Sequence, residues 1–324
     1  MKKNLFLVFF VVSLTFVCAG NEVSGQQAYP NKPIDLIVPY NPGGGSDLAA
    51  RLLSTYFSKA FGVKLNVINK IGGAGTIGLQ AALMAEPNGY TILMDTHGLG
   101  SMIAFYEGKY PIDWRKRTWI GRIITEPMIY ITRIDSTWNN LREVAEFIKK
   151  NPKKLRFGAS GLSGSGYAVG VQFFNAGNIS VEELNVVMFQ GAPEVIAALA
   201  GGHIDFAAQQ YSQATGMVQG KRIRAIAVAG SKRLPLLPEV QTAEEQGYAT
   251  LDIAGYQGIA GPPGLSKEVV NFWAEALKKA SEDLAFVQQA ENLKQTVAYL
   301  SPETYEQFVE RQYQEYFKLS KKTK

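Results

Sequence analysis

Four glycine-rich loops hold the residues of this sequence best suited to chemistry. The first reads Tyr40-Asn41-Pro42-Gly43-Gly44-Gly45-Ser46-Asp47 and the second Gly72-Gly73-Ala74-Gly75-Thr76. The third reads Ser160-Gly161-Leu162-Ser163-Gly164-Ser165-Gly166 and the fourth Gln190-Gly191-Ala192-Pro193. Each follows an apolar run and precedes an amphipathic one. Glycine lets a backbone approach a ligand closely and adopt φ > 0. A helix that starts at such a loop offers N–H groups and partial positive charge, which together attract an anion. One loop of this kind is no more than a tight turn. Four, two in each half of the chain, point to an anion-binding cleft at the carboxyl ends of strands. The residues assigned to it are Tyr40, Pro42, Gly43, Gly44, Ser46 and Asp47; Ser160, Gly161, Ser163, Gly164, Ser165 and Tyr167; and Gln190, Gly191 and Ala192. Thr96 and His97, at the end of a strand, and Gln209, at the end of another, complete the set. Bare backbone at Gly44 is expected to meet the ligand, so that valine there would block the cleft or forbid its backbone conformation. Asp47 suits a ligand amine or a helix cap, and with Arg51 at i+4 it is expected to form a local ion pair.

Other chemistry is poorly supplied. Gly73, Gly75 and Gly78 fit G-x-G-x-x-G between a strand and a helix, with Asp95 ending the next strand, which is the pattern of a dinucleotide site. Polar Asn69-Lys70 precede that turn, and the chain offers little for hydride transfer. The sequence has two histidines, His97 and His203, and one cysteine, Cys18. It contains no H-E-x-x-H, C-x-x-C or G-x-S-x-G. A binding protein without cofactor or metal is therefore expected rather than an enzyme, with a secreted nucleotide-binding enzyme built on Gly73 to Gly78 as the alternative.

These loops need a frame, and the apolar pattern supplies one. Strands are predicted over 34–39, 64–69 and 90–95, with helices over 47–60 and 76–85 between them. This βαβαβ opening implies a parallel sheet with right-handed crossovers. Two strand-like runs within 119–133 are interrupted by Glu126-Pro127. Strands over 155–158, 184–189, 204–209 and 224–229 alternate with helices over 141–150, from the third loop to 175, and over 193–200. A strand over 251–260 and helices over 267–281, 283–291 and 302–320 finish the chain. The fold class is α/β, and 324 residues exceed one typical core. No linker divides the chain, so two lobes crossed more than once are expected.

The N-terminus sets the compartment. Lys2 and Lys3 precede an apolar run from Leu5 to Val17 that is shorter than the about 20 residues a bilayer requires. Small residues follow, so residues 1–25 read as a signal peptide and the mature chain as exported. A lipid anchor on Cys18 is the alternative, disfavoured by Val17 before it. A lone cysteine excludes an intrachain disulfide. The formal net charge of +5 suits an anionic ligand without demanding one, and no Lys/Arg run resembles a nucleic-acid patch.

The order of these motifs resembles the Bug/TctC family of extracytoplasmic solute receptors associated with tripartite tricarboxylate transporters. The likeness starts at Tyr29-Pro30, Val38-Pro39-Tyr40, Pro42-Gly43-Gly44, Asp47 and Arg51, and passes through Pro87-Asn88-Gly89-Tyr90-Thr91. It continues at Phe189-Gln190-Gly191, Gly201-Gly202, Asp205 and Ile223 to Val228, and closes at Ala260-Gly261-Pro262-Pro263-Gly264. The resemblance implies a periplasmic-binding-protein fold of type II kind, with two α/β lobes joined by crossing hinge strands: residues 26–126 with 255–324, and residues 127–254. It implies a monomeric periplasmic receptor that closes on a small carboxylate and delivers it to membrane transporter subunits, or else serves a signalling partner. It places the carboxylate between the loops at 40–47 and 160–166. Two departures concern the ligand's identity: Tyr167 stands where many members have histidine, and Gln209 where many have aspartate.

Overall fold

Apolar runs broken by glycine loops build two sheets in the computed structural model, which describes residues 29–105, 113–161, 164–230, 232–248 and 255–322. The first run, β1 (Ile34–Val38), buries Ile34, Leu36 and Val38 on one face and Ile37 on the other. A strand apolar on both faces belongs inside a parallel sheet covered on both sides. It pairs in parallel with β2 (Leu65–Asn69) and β3 (Thr91–Thr96), across α1 (Gly45–Phe61) and α2 (Thr76–Leu83). This is the expected βαβαβ unit. Helix α3 (His97–Phe105) follows directly on β3.

The chain then runs along β4 (Thr118–Glu126), crosses at Pro127 and enters the second sheet as β5 (Met128–Arg133). That sheet adds α4 (Leu141–Lys150), β6 (Arg156–Ala159), α5 (Ser165–Ala176), β7 (Asn185–Met188), α6 (Ala192–Ala200), β8 (Phe206–Gln210), α7 (Tyr211–Gln219) and β9 (Ile223–Val228). The return places β10 (Gly255–Gly261), α8 (Lys267–Glu282), α9 (Leu284–Asn292), β11 (Thr296–Leu300) and α10 (Pro302–Lys322) on the first sheet. Among the described residues the strand orders are β11-β4-β10-β3-β1-β2 and β7-β6-β8-β5-β9. The outgoing and returning strands lie side by side: β4 and β10 are antiparallel partners, and Glu126 pairs with Gly255 at the crossing.

Three apolar clusters hold these layers. One packs Leu53, Phe57, Trp273 and Leu277 against the outer face of the first sheet. Another packs Val195, Leu199 and Tyr211 against the outer face of the second. The largest runs between the sheets, from Ile37, Tyr256, Tyr305 and Phe308 to Tyr130, Phe157, Phe173 and Phe206. The aromatic stripe of α10 is thus a packing face, as its helical spacing implies.

Three elements escape the periodicity. The α3 sequence HGLGSMIAF contains two glycines and is apolar on most sides, because it lies between other elements of the core. Gly216 and scattered polar residues blur α7, and β11 is a short, half-buried edge strand. The predicted strand at 251–260 is seen from Gly255; residues 251–254 lie outside the described residues, as do the predicted signal segment and Cys18.

Beneath the carboxyl end of β3, Asp95 and Arg117 form an ion pair with both side chains fully buried. The Tyr305 hydroxyl donates to the other Asp95 oxygen at 2.7 Å, and the guanidinium lies 4.6 Å from the centre of the Trp119 ring. Removing one member of such a pair strands a charge in the interior. Arg117→Met should therefore cost about 3–5 kcal/mol of stability in urea unfolding. Adding Asp95→Leu to Arg117→Met should restore at least half of that loss, since no lone charge then remains.

Candidate functional site

Strands β1 and β3 of the first sheet and β6 and β8 of the second end at a common cavity of about 270 Å³. One wall carries Tyr40, Gly44, Gly45, Ser46, Thr96, His97, Gly98, Glu126 and Gln257. The facing wall carries Ser160, Gly164, Ser165, Ala192, Gln209, Gln210 and Gln213. No Lys or Arg is among them.

Positive potential comes instead from backbone. Helices α1, α5, α6 and α7 begin at this cavity, and their N-caps are Gly44, Gly164, Gly191 and Gln210, none with a side-chain cap. Three helices that start elsewhere are closed off, Asn140 capping α4, Ser266 α8 and Asp283 α9, whereas α2 starts without a side-chain cap at Gly75. An uncapped first turn leaves N–H groups directed at whatever occupies the cleft, and the aligned dipoles favour an anion there.

The first loop is braced by Asp47. Its carboxylate accepts from Gly43 N–H at 2.9 Å, from Arg51 at 2.8 and 3.0 Å and from Asn69 at 3.0 Å. Burial opposes its ionisation, but those hydrogen bonds and the Arg51 charge outweigh burial and hold the carboxyl below its ordinary range. The i,i+4 pair is as expected, but Asp47 is spent on the loop and lies outside the cavity wall. The left-handed glycine is Gly43 at φ +80°, whereas Gly44 has φ −75°. Any residue can adopt the Gly44 conformation, which corrects the expectation that valine would be forbidden there; its effect must come from filling space.

Of the residues assigned from sequence, Tyr40, Gly44, Ser46, Thr96, His97, Ser160, Gly164, Ser165, Ala192 and Gln209 meet on the wall. Pro42, Gly43, Gly161, Gln190 and Gly191 lie in the same loops behind or beside it. Tyr167 is 2% exposed and packs its ring on Phe157, so its side chain belongs to the core. Ser163 lies outside the described residues. The G-x-G-x-x-G stretch is a packing motif: a Cβ on Gly78 would stand 2.8 Å from Pro39 Cα and from the Lys70 carbonyl. Asp95, the acid that a ribose would need, is buried against Arg117 and Tyr305. Sequence reasoning missed Glu126, Gln210, Gln213 and Gln257, whose signal is a polar side chain within or at the end of an apolar run.

A family model described as "Tripartite tricarboxylate transporter family receptor" matches residues 49–323. The chain belongs to this receptor family. A UPF0065 protein of Agrobacterium vitis is 26% identical over 285 residues, covering 88% of this chain and 82% of that one. The structure of the periplasmic binding protein BugD is 28% identical, with a TM-score of 0.73 over 91% of this chain and 98% of that chain. An R. palustris protein solved with adipate is 20% identical, with a TM-score of 0.79 over 91% and 98% of the two chains. The two-lobe binding-protein fold is therefore shared. Among the described residues no helix is long and apolar enough to cross a membrane.

In this receptor, His97 bridges the two sheets. Its Nδ1 accepts from Tyr256 N–H at 3.4 Å, which puts the proton of the neutral ring on Nε2. Nε2 lies 3.2 Å from Gln210 Nε2, so the amide must turn end for end for its oxygen to accept that proton. Burial pushes the His97 pKa down to about 4. The unfolded chain binds a proton near pH 6.5 that the folded ring refuses. This part of the stability is complete above pH 6.5 and is lost as pH falls toward 4. The depression corresponds to on the order of 3 kcal/mol. His97→Gln should flatten the curve of urea midpoint against pH between about 6.5 and 4 relative to wild type.

Proposed function

We propose that this protein is a periplasmic receptor that captures a small carboxylate in the cleft between its lobes and offers the closed form to membrane transporter subunits. One observation carries the reading: four uncapped helix N-termini, from both sides of the cleft, converge on a cavity with no Lys or Arg among the described residues that line it. Such a site neutralises one negative charge with backbone dipoles and hydroxyls. The adipate in the R. palustris protein supports a carboxylate as the ligand, and family membership supports a transporter as the recipient. In this reading residues 1–25 are a signal peptide, and residues 26–126 with 255–324 form one lobe. Residues 127–254 form the other, and the receptor acts as a monomer. The hinge is the crossing where Glu126 pairs with Gly255, and the ligand selects the closed state because only there do both walls touch it.

The affinity expected for one desolvated carboxylate is on the order of micromolar, or about −8 kcal/mol. A thermal-shift screen of mono- and dicarboxylates should raise the melting temperature. Calorimetry with the responding acid then tests the walls. Ser165→Ala removes a hydroxyl that bonds a charged acceptor and should weaken binding about ten- to a hundredfold. Gly44→Val, whose Cβ would stand 3.3 Å from the Asn41 carbonyl oxygen and whose methyls fill space at the wall, should abolish it. Absence of any shift, or wild-type affinity in both variants, would falsify the proposal.

A further inference from the structure

Resting on the carboxylate reading, we propose that Glu126 and Gln257 form an acceptor subsite at one end of the cleft. This receptor then selects small monocarboxylates that carry an O–H or N–H donor, in preference to dicarboxylates.

Glu126 ends β4 at the crossing and is 1% exposed, yet it lines the cavity. Gln295 donates to its Oε1 at 3.2 Å, and the same amide donates to the Gly45 carbonyl at 2.8 Å. Two carbonyl-type acceptors fix that amide with its NH2 toward Glu126. The Gln257 amide beside it also favours the ionised carboxyl. Among the described residues no Lys or Arg forms an ion pair with it. Burial raises its pKa despite the two amides, which is the mark of a carboxyl with no cation beside it.

The Gln257 amide leaves a definite vacancy in hydrogen bonding. Its Oε1 is buried and without a hydrogen-bond donor among the described residues. The side chain is 1% exposed and lines the same cavity. A buried acceptor lacking a donor is costly, and one supplied by the ligand removes the cost. The opposite wall has the complementary lack: Gln209 Nε2, at the end of β8, is a buried donor without an acceptor. Donors therefore await the carboxylate at the Gln209 and Ser165 wall, and acceptors await a donor at the Glu126 and Gln257 end. A second carboxylate placed at that end would meet the Glu126 carboxyl and the Gln257 carbonyl with no cation, and could enter only together with a proton.

The test uses the full mature protein and two chain lengths. One set is butyrate, succinate, 4-hydroxybutyrate and 4-aminobutyrate; the other is hexanoate, adipate, 6-hydroxyhexanoate and 6-aminohexanoate. Dissociation constants come from calorimetry. In at least one set a hydroxy or amino acid should bind tenfold or more tightly than both the parent acid and the dicarboxylate. Glu126→Gln, which is isosteric and uncharged, should shrink the gap between donor acid and dicarboxylate by tenfold or more. The wild-type series decides alone if that variant does not fold. Succinate and adipate binding as tightly as their donor-bearing counterparts would overturn the acceptor subsite while leaving the carboxylate reading intact. So would a gap unchanged in a folded Glu126→Gln. If no acid of either set binds, the carboxylate reading itself fails and this inference with it.

Discussion

A helix that begins without a side-chain cap leaves backbone donors that only water or a ligand can satisfy. In this protein four such beginnings are gathered in one place, and much of the architecture follows from gathering them. Parallel strands β1 with β3, and β6 with β8, must end on the same side for their following helices to start together. The loops between must be small enough for the helix ends to come close, hence Gly44, Gly164 and Gly191 at the caps. The first loop must also hold its shape with an open mouth. Asp47 does this from behind, tying Gly43, Asn69 and Arg51 together while keeping its own charge off the wall.

The walls consequently differ from those of a site built on Arg or Lys. Backbone donors cannot swing away or change protonation, so their share of the cleft's field does not vary with pH. His97 fits this pattern, since burial keeps its ring neutral while it joins Tyr256 to Gln210. The buried ion pair of Asp95 and Arg117 is kept out of the cavity. Asp95 and Arg117 lie one residue below Thr96 and behind it, compensated by each other and by Tyr305.

Much of this could be read from the chain. Glycines and serines after strand-like runs located the two main loops, and the apolar periods gave most strands and helices within a residue or two. What stayed hidden has physical reasons. Tyr167 sits in a Gly/Ser-rich stretch suggesting exposure, but the helix starting at Ser165 turns its ring toward Phe157. Gln257, within GYQGIAG, looks like an interruption of a buried strand until β10 is seen to cross the floor of the cleft. Glu126 likewise looks like the end of a strand, and nothing local reveals that Gln295, far along the chain, will bond to it. Side chains that reach a site through strand pairing are visible only once the pairing is known, whereas loop residues announce themselves by composition.

Strand β10 has one more consequence, for the order of assembly. It lies between β3 and β4, antiparallel to both. All the strands of the second sheet, β5 to β9, precede it in the chain. A polypeptide emerging from its N-terminus therefore has the whole second sheet available while β3 and β4 still present bare edges to each other. Those edges are of the kind that invites mispairing with another chain. The central seam of the first sheet waits for a strand from beyond the whole second sheet, with only β11 still to follow, and pairings of such long sequence separation close slowly.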